Sequence, residues 1–288
     1  MNLIETSAWP ADGGTELPIA IWKIEPPPVA RLLIVHGRGE HGRRYEPIAR
    51  ALEPRGIECV AMDLRGFGRN AGSGAGRVRR FEDYLFDIEA AYFKVEGTVK
   101  DPQPPVFILG HSMGGLAAIR FAQERERFGY DQARICGLIL SSPFLAMPKR
   151  IPAAKLAIVR LLSILAPHKP LPTSGTPNTR DEACWEAYCA DPLTVKSPTA
   201  RWVTEVLKHQ ALAFARAAEI RVPLLVLQGG ADTATLPDAS RRFAELANGD
   251  YKEYGGFLHE VLNEPEEDRR RVLGDLTAWV LERAPRPA

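Results

Sequence analysis

Five runs of consecutive apolar residues set the rhythm of this chain: ARLLIVHG (30–37), IECVAMDL (57–64), PPVFILGHS (104–112), ICGLILSSP (135–143) and VPLLVLQGGAD (222–232). They are continuous rather than alternating, as expected of strands covered on both faces, and so predict a mostly parallel sheet. Residues 45–54, 81–96, 113–127 and 237–247, which lie between or after these runs, carry helical spacing. Strand and helix in alternation predict an α/β fold with right-handed crossovers. Ahead of them, LIETSAWPADGGTELPIAIWKIE predicts a hairpin turning at Asp12-Gly13-Gly14, which adds antiparallel strands to one edge. A last helix over 264–283 places Val272, Leu276, Trp279 and Val280 on one face as a core stripe.

One interval breaks the rhythm. From Phe144 to Ala218 there is no strand pattern, only prolines and helical pieces near 151–166, 181–190 and 199–218. A stretch this long between two sheet strands reads as a helical cap over the strand ends. The predicted organisation is a core of residues 1–143 and 219–288, with a cap of 144–218 inserted after the sixth strand.

Charge excludes some partners. With 37 Lys and Arg against 36 Asp and Glu, the net charge is +1, so no global field gathers nucleic acid, and a small molecule is the expected substrate. The N-terminus MNLIETSAWP carries Glu5 and no basic region followed by an apolar stretch, so it is not a secretory signal and a cytoplasmic location is expected. No uncharged run reaches the roughly 18 apolar residues that span a bilayer. The most lipid-like region, AAKLAIVRLLSILAP, is interrupted by Arg160. That helix is apolar nearly all round except at Lys155, Arg160 and Ser163, so it needs apolar neighbours on both sides. Packing on its own domain and peripheral contact with membrane or micelles both stay open. Cys59 and Cys136 lie in strand-like runs and read as core residues. Cys184 and Cys189 lack metal or redox spacing, so free thiols are expected.

The chemistry centres on Gly110-His111-Ser112-Met113-Gly114 between a strand and a helix. This is G-x-S-x-G in the context that gives it meaning: a serine held on a tight, strained turn with glycines where a Cβ would clash. A serine needs a base, and the base an orienting acid. In this arrangement both follow the serine, acid first, each on a loop after a strand. Of the six histidines, His36 and His41 precede the serine, His111 adjoins it and would point aside, and His168 and His209 fall in the insertion. His259, in YGGFLHEVLNE, remains. Asp232 ends LLVLQGGAD directly after a strand, whereas Asp131, Asp181 and Asp191 lie in helical or inserted regions. The expected roles are therefore Ser112 nucleophile, His259 general base and acid, and Asp232 orienter.

Residues 35–45, VHGRGEHGRRY, contain G-x-G-x-x-G, with Asp63 about 20 residues on, as in a dinucleotide-binding turn. In such a turn the helix opens among the glycines, yet here Arg43, Arg44 and Tyr45 intervene and Pro47 marks a helix start near 46 or 47. His36 and His41 lack a nearby third ligand, so no metal is expected. The loop instead suits an oxyanion hole, with backbone N–H groups from Arg38 and Met113. No cofactor is required.

HGRGEHGRRYEPIARAL, DLRGFGRN, LGHSMGG, LQGGAD and FLHEVLNE together resemble the monoacylglycerol lipase and lysophospholipase-like branch of the α/β-hydrolase superfamily, alongside serine aminopeptidase S33-type hydrolases. The resemblance implies a serine ester hydrolase acting through an acyl-enzyme, with a cap that admits an acyl chain. It also implies that Asp63 and Arg65 brace the oxyanion loop. The chain departs from that pattern at Asn70, commonly serine, and at Arg38, commonly smaller or apolar, where the pocket mouth is expected to change. Alternatives are an aminopeptidase or amidase using Glu182, Glu186 or Asp191 to hold an amine, and a non-catalytic ligand receptor on the same fold. A nicotinamide-dependent oxidoreductase built on residues 35–45 is the third. Dehalogenase and epoxide hydrolase chemistry would need an aspartate where Ser112 stands.

Overall fold

The computed structural model describes residues 1–96, 104–124, 135–173 and 175–284. The helical pattern of residues 125–127, and Asp131, fall outside them. Among the described residues eight strands form one sheet: β1 (Asn2–Ala8), β2 (Leu17–Lys23), β3 (Ala30–Val35), β4 (Ile57–Met62), β5 (Val106–His111), β6 (Ile135–Ser141), β7 (Leu224–Gly229) and β8 (Asp250–Tyr254). Their order is β1-β2-β4-β3-β5-β6-β7-β8. Pairing is antiparallel at β1–β2 and β2–β4 and parallel from β4 onward.

The continuous apolar runs are explained by two buried faces. Leu33, Val35, Val60, Met62, Ile108, Leu138 and Val226 belong to one core layer, under α2 (Glu82–Glu96), α3 (Met113–Gln123) and α7 (Pro237–Leu246). Their neighbours Leu32, Ile34, Cys59, Ala61, Phe107, Ile139 and Leu227 belong to the other, under α1 (Glu46–Leu52) and α8 (Glu266–Arg283). Alternate side chains of a strand point to opposite faces, so every position must be apolar. The stripe on α8 lies in that second layer, with Val272, Leu276 and Val280 fully buried. β8 is an edge strand; Asp250, Lys252 and Glu253 are exposed on it, which guards an open edge and explains its weak apolar pattern.

Between β6 and β7 lie α4 (Ala153–Leu165), α5 (Glu182–Ala190) and α6 (Ala200–Ala215), with one isolated bridge, Pro170 to Thr199. They occupy the interval in which the sequence predicts a helical cap. α6 is anchored by Trp202, Val206, His209 and Ala213, all buried. On α4 only Val159 and Ser163 are buried, and Ser163 shares a hydrogen bond of 2.9 Å with Thr204 of α6. The polar residue of an apolar helix thus faces inward, while Ile158, Leu161, Ile164 and Leu165 are 56–73% exposed. Among the described residues, no helix is long and apolar enough to cross a membrane.

Strand order reverses at β3, which has β4 on one side and β5 on the other, and ligands of open α/β sheets bind at such a switch. Val35 pairs with Gly110, so the loops after β3 and β5 emerge side by side. Gly229 pairs with Tyr254, so the loops after β7 and β8 do the same.

Candidate active site

Ser112 stands alone between β5 and α3 with φ 51° and ψ −117°, a backbone conformation costly for any residue with a Cβ. Two hydrogen bonds hold it there, Ser112 N–H to the Ser141 carbonyl at 2.9 Å and Phe144 N–H to the Ser112 carbonyl at 2.9 Å. The flanking glycines are required by close backbone approach. A Cβ on Gly110 would lie 2.6 Å from the Gly114 carbonyl oxygen, and one on Gly114 2.1 Å from that of Val35. Met113 opens α3, so its N–H belongs to the first turn, where the helix offers no acceptor.

The loop after β3 lies against this turn. A Cβ on Gly37 would come 3.2 Å from that of Ser112 and 3.0 Å from the His111 ring, so Arg38 is next to a residue in contact with the elbow. On the loops after β7 and β8, His259 Nδ1 and Asp232 Oδ2 are 2.8 Å apart, both residues buried. Asp232 is fixed in turn by Thr235 Oγ1 at 2.6 Å, Gln228 Nε2 at 2.9 Å, and the N–H groups of Ala234 and Thr235 at 2.7 and 2.9 Å. With Nδ1–H donated to Asp232, the imidazole keeps Nε2 for proton transfer. Burial alone would raise the Asp232 pKa, but the charge and hydrogen bonds of His259 and Thr235 hold it below the usual carboxylate range. Burial alone would lower that of His259; Asp232, Glu260 and Glu40 together raise it.

His111 was expected to point aside. Its Nδ1 donates to the Ser141 carbonyl at 3.0 Å, and its ring centroid lies 4.9 Å from that of His259. A largely buried chain of charges, unmarked by any catalytic motif, links the loop after β3 to the loop that carries His259. Gly37 N–H donates to Glu40 Oε1 at 3.0 Å, and Arg44 bridges Glu40 Oε2 at 2.8 Å and Glu260 Oε2 at 3.1 Å. Asn263 Nδ2 donates to Glu260 at 2.8 Å. The only sequence signal was the run of ionic residues in GEHGRRY and the acid after His259.

The remaining residues of the opening loop have structural partners. His36 Nε2 accepts the Leu64 N–H at 3.0 Å and Nδ1 donates to the Gly37 carbonyl at 2.7 Å, leaving no lone pair for a metal. His41 Nε2 meets Asp191 at 2.7 Å. Gly42–Tyr45 form a single 3-10 turn before α1, so the glycine pattern is not at the start of an α-helix. Asp63 does brace this loop, accepting Gly42 N–H at 2.8 Å. Arg65 does not: it pairs with Asp12 at 2.9 Å and Asp87 at 2.6 Å, tying the β1–β2 turn to α2. Glu82, Glu205 and His209 are close enough to share a cation, but Phe81 N–H, Arg120 Nε and Lys208 Nζ already engage them.

Comparison with known proteins identifies the family. Residues 26–266 match the family described as "Serine aminopeptidase, S33". Phospholipase YtpA of Bacillus subtilis is 33% identical over 255 residues, covering 86% of this chain and 93% of that protein. The human monoglyceride lipase is 31% identical over 269 residues, covering 91% and 86%. Among solved structures, the monoacylglycerol lipase of Paleococcus ferrophilus superposes with a TM-score of 0.76 at 25% identity, covering 98% of this chain and all of that one. A soluble variant of the Saccharomyces cerevisiae monoglyceride lipase, crystallised with a substrate analog, reaches 0.82 over 95% and 94%, at 23% identity bearing on the fold alone. The chain is an α/β-hydrolase and belongs to the serine aminopeptidase, S33 family.

Proposed function

We propose that Ser112, His259 and Asp232 form the catalytic triad of a carboxylic-ester hydrolase whose substrates are monoacylglycerols, lysophospholipids or related acyl esters. His259 Nε2 takes the Ser112 proton as Oγ attacks the ester carbonyl. The backbone N–H groups of Arg38 and Met113 receive the oxyanion. His259 then protonates the departing alcohol, leaving an acyl-enzyme that a water, deprotonated by the same nitrogen, hydrolyses. The observation that carries this reading is the strained Ser112 turn, whose neighbour His111 lies with its ring 4.9 Å from that of His259, itself held 2.8 Å from Asp232. The substrate class follows the names of the relatives, a phospholipase and monoglyceride lipases. Amide cleavage is less well supported: Asp191 is engaged by His41, and Glu182 and Glu186 are exposed on the outside of α5.

We assign the cap to residues 144–218, with peripheral contact to membranes or micelles through the exposed apolar face of α4. A cytoplasmic location suits four unpaired cysteines. The test is a rate profile across monoacylglycerols, lysophospholipids, p-nitrophenyl esters of rising chain length and aminoacyl amides. Acyl esters should be turned over and amides not, and Ser112→Ala should lose at least about 1000-fold in kcat. Faster cleavage of aminoacyl amides would replace the esterase reading with the peptidase one.

A further inference from the structure

Both residues proposed to supply the oxyanion donors are gripped by one stretch of the cap, Val195–Trp202. On one side, Arg38 Nη1 donates to the carbonyls of Val195 and Lys196 at 3.1 and 3.0 Å, and Val195 N–H donates back to the Gly39 carbonyl at 3.1 Å. Gly39 has φ 83°, and a Cβ there would lie 2.6 Å from the Val195 oxygen, so the two segments touch backbone to backbone. On the other side, Trp202 Nε1–H contacts Met113 Sδ at 3.1 Å. The Arg38 guanidinium lies 5.6 Å from the Trp202 ring centroid, and Phe144 stacks on the same ring at 5.9 Å. Trp202 and Met113 are both buried.

We infer that the Arg38 side chain is a positioning residue that locks the oxyanion loop to the docked cap, so that the hole reaches its working geometry only while residues 195–202 are seated on it. The inference rests on the esterase reading above. A guanidinium suits the task because it offers several fixed donors to converging carbonyls and stacks on an indole. Its hydrogen bonds go to backbone carbonyls, and Glu40, the carboxylate whose charge reaches it, is paired with Arg44, so a neutral side chain would leave no stranded anion. An oxyanion donor is useful only when aimed at the developing charge, and small displacements are costly. The unexpected arginine therefore acts at the hole, through the cap, and not only at the pocket mouth.

The test uses p-nitrophenyl acetate, an ester too short to depend on an acyl pocket in the cap. Arg38→Met should lower kcat about tenfold with KM within about twofold, since a donor is loosened and not deleted. It should slow acylation of Ser112 by a fluorophosphonate in proportion, while Arg38→Lys recovers part of both. Trp202→Phe, which keeps the aromatic platform but loses the contact to Met113, should lower kcat in the same sense. If Arg38→Met fails to fold, Arg38→Gln and Trp202→Phe read the same split. Unchanged kcat on the short ester in folded variants, with KM raised only for long-chain or anionic esters, would make Arg38 a substrate contact and overturn the inference. A wild-type protein that hydrolyses no ester would instead overturn the function on which it rests.

Discussion

Asp232 and His259 set each other's titration, and this gives the proposed mechanism a pH signature. His259 must be neutral to accept the serine proton, and Asp232, Glu260 and Glu40 raise its pKa against the lowering effect of burial. Activity should therefore climb from acid pH through an apparent pKa above the ordinary imidazole value of about 6.5 and then level off. In Asp232→Asn the neighbouring charge is gone, so the acid limb of kcat/KM should move to lower pH. The plateau should drop by about 10³- to 10⁴-fold as the imidazole loses its orientation. A limb that stays in place would show that Asp232 is not the partner that tunes the base. At this scale the proposed triad could be read from the sequence because a tight-turn serine, an acid after a strand and a later histidine must occur in a fixed order. The Glu40–Arg44–Glu260 chain was not legible, since its third member lies 216 residues from Arg44 and only the fold brings it close.

The elements were legible wherever burial imposed a period. β3 to β7 showed themselves because both faces are covered, and α8 because its core stripe is narrow. α4 was legible as a helix but not in its orientation, because a helix apolar on every side does not select which face turns inward. Its outward residues Ile158, Leu161, Ile164 and Leu165 form a surface that water does not favour. If that surface lies on lipid, Ile164→Glu with Leu165→Glu should remove the protein from floating vesicles. Each buried aliphatic side chain is worth about 1.5–3 kcal/mol, so affinity should fall by more than about tenfold per residue. Turnover of p-nitrophenyl acetate should be unchanged. Wild-type protein that stays out of the vesicle fraction would confine α4 to covering its own domain.

Across the whole molecule, the antiparallel end of the sheet is clamped to the parallel part by Arg65, which joins Asp12 in the β1–β2 turn to Asp87 on α2. Burial pushes the Asp87 carboxyl up to about 6 even against the lowering effect of Arg65. Arg65→Met should cost about 3 kcal/mol at pH 8, where Asp87, charged in the native protein, must stay buried without its counter-charge or take up a proton. It should cost less at pH 5, because Asp87 is already protonated there and has no charge to strand. Denaturant unfolding at the two pH values checks the sign, and equal losses would assign the clamp to packing alone. The family resemblance had given Arg65 to the oxyanion loop. Only the three-dimensional partners separate its role from that of Asp63, two residues earlier.

The central claim is that Ser112 becomes acylated, and a covalent trap reads it directly. After incubation with a fluorophosphonate, intact-protein mass spectrometry should show a single adduct, and the peptide bearing it should place it on Ser112. The adduct should be absent in Ser112→Ala and form far more slowly in His259→Ala. A folded wild-type protein that takes up no adduct, or carries it on another residue, would contradict the account.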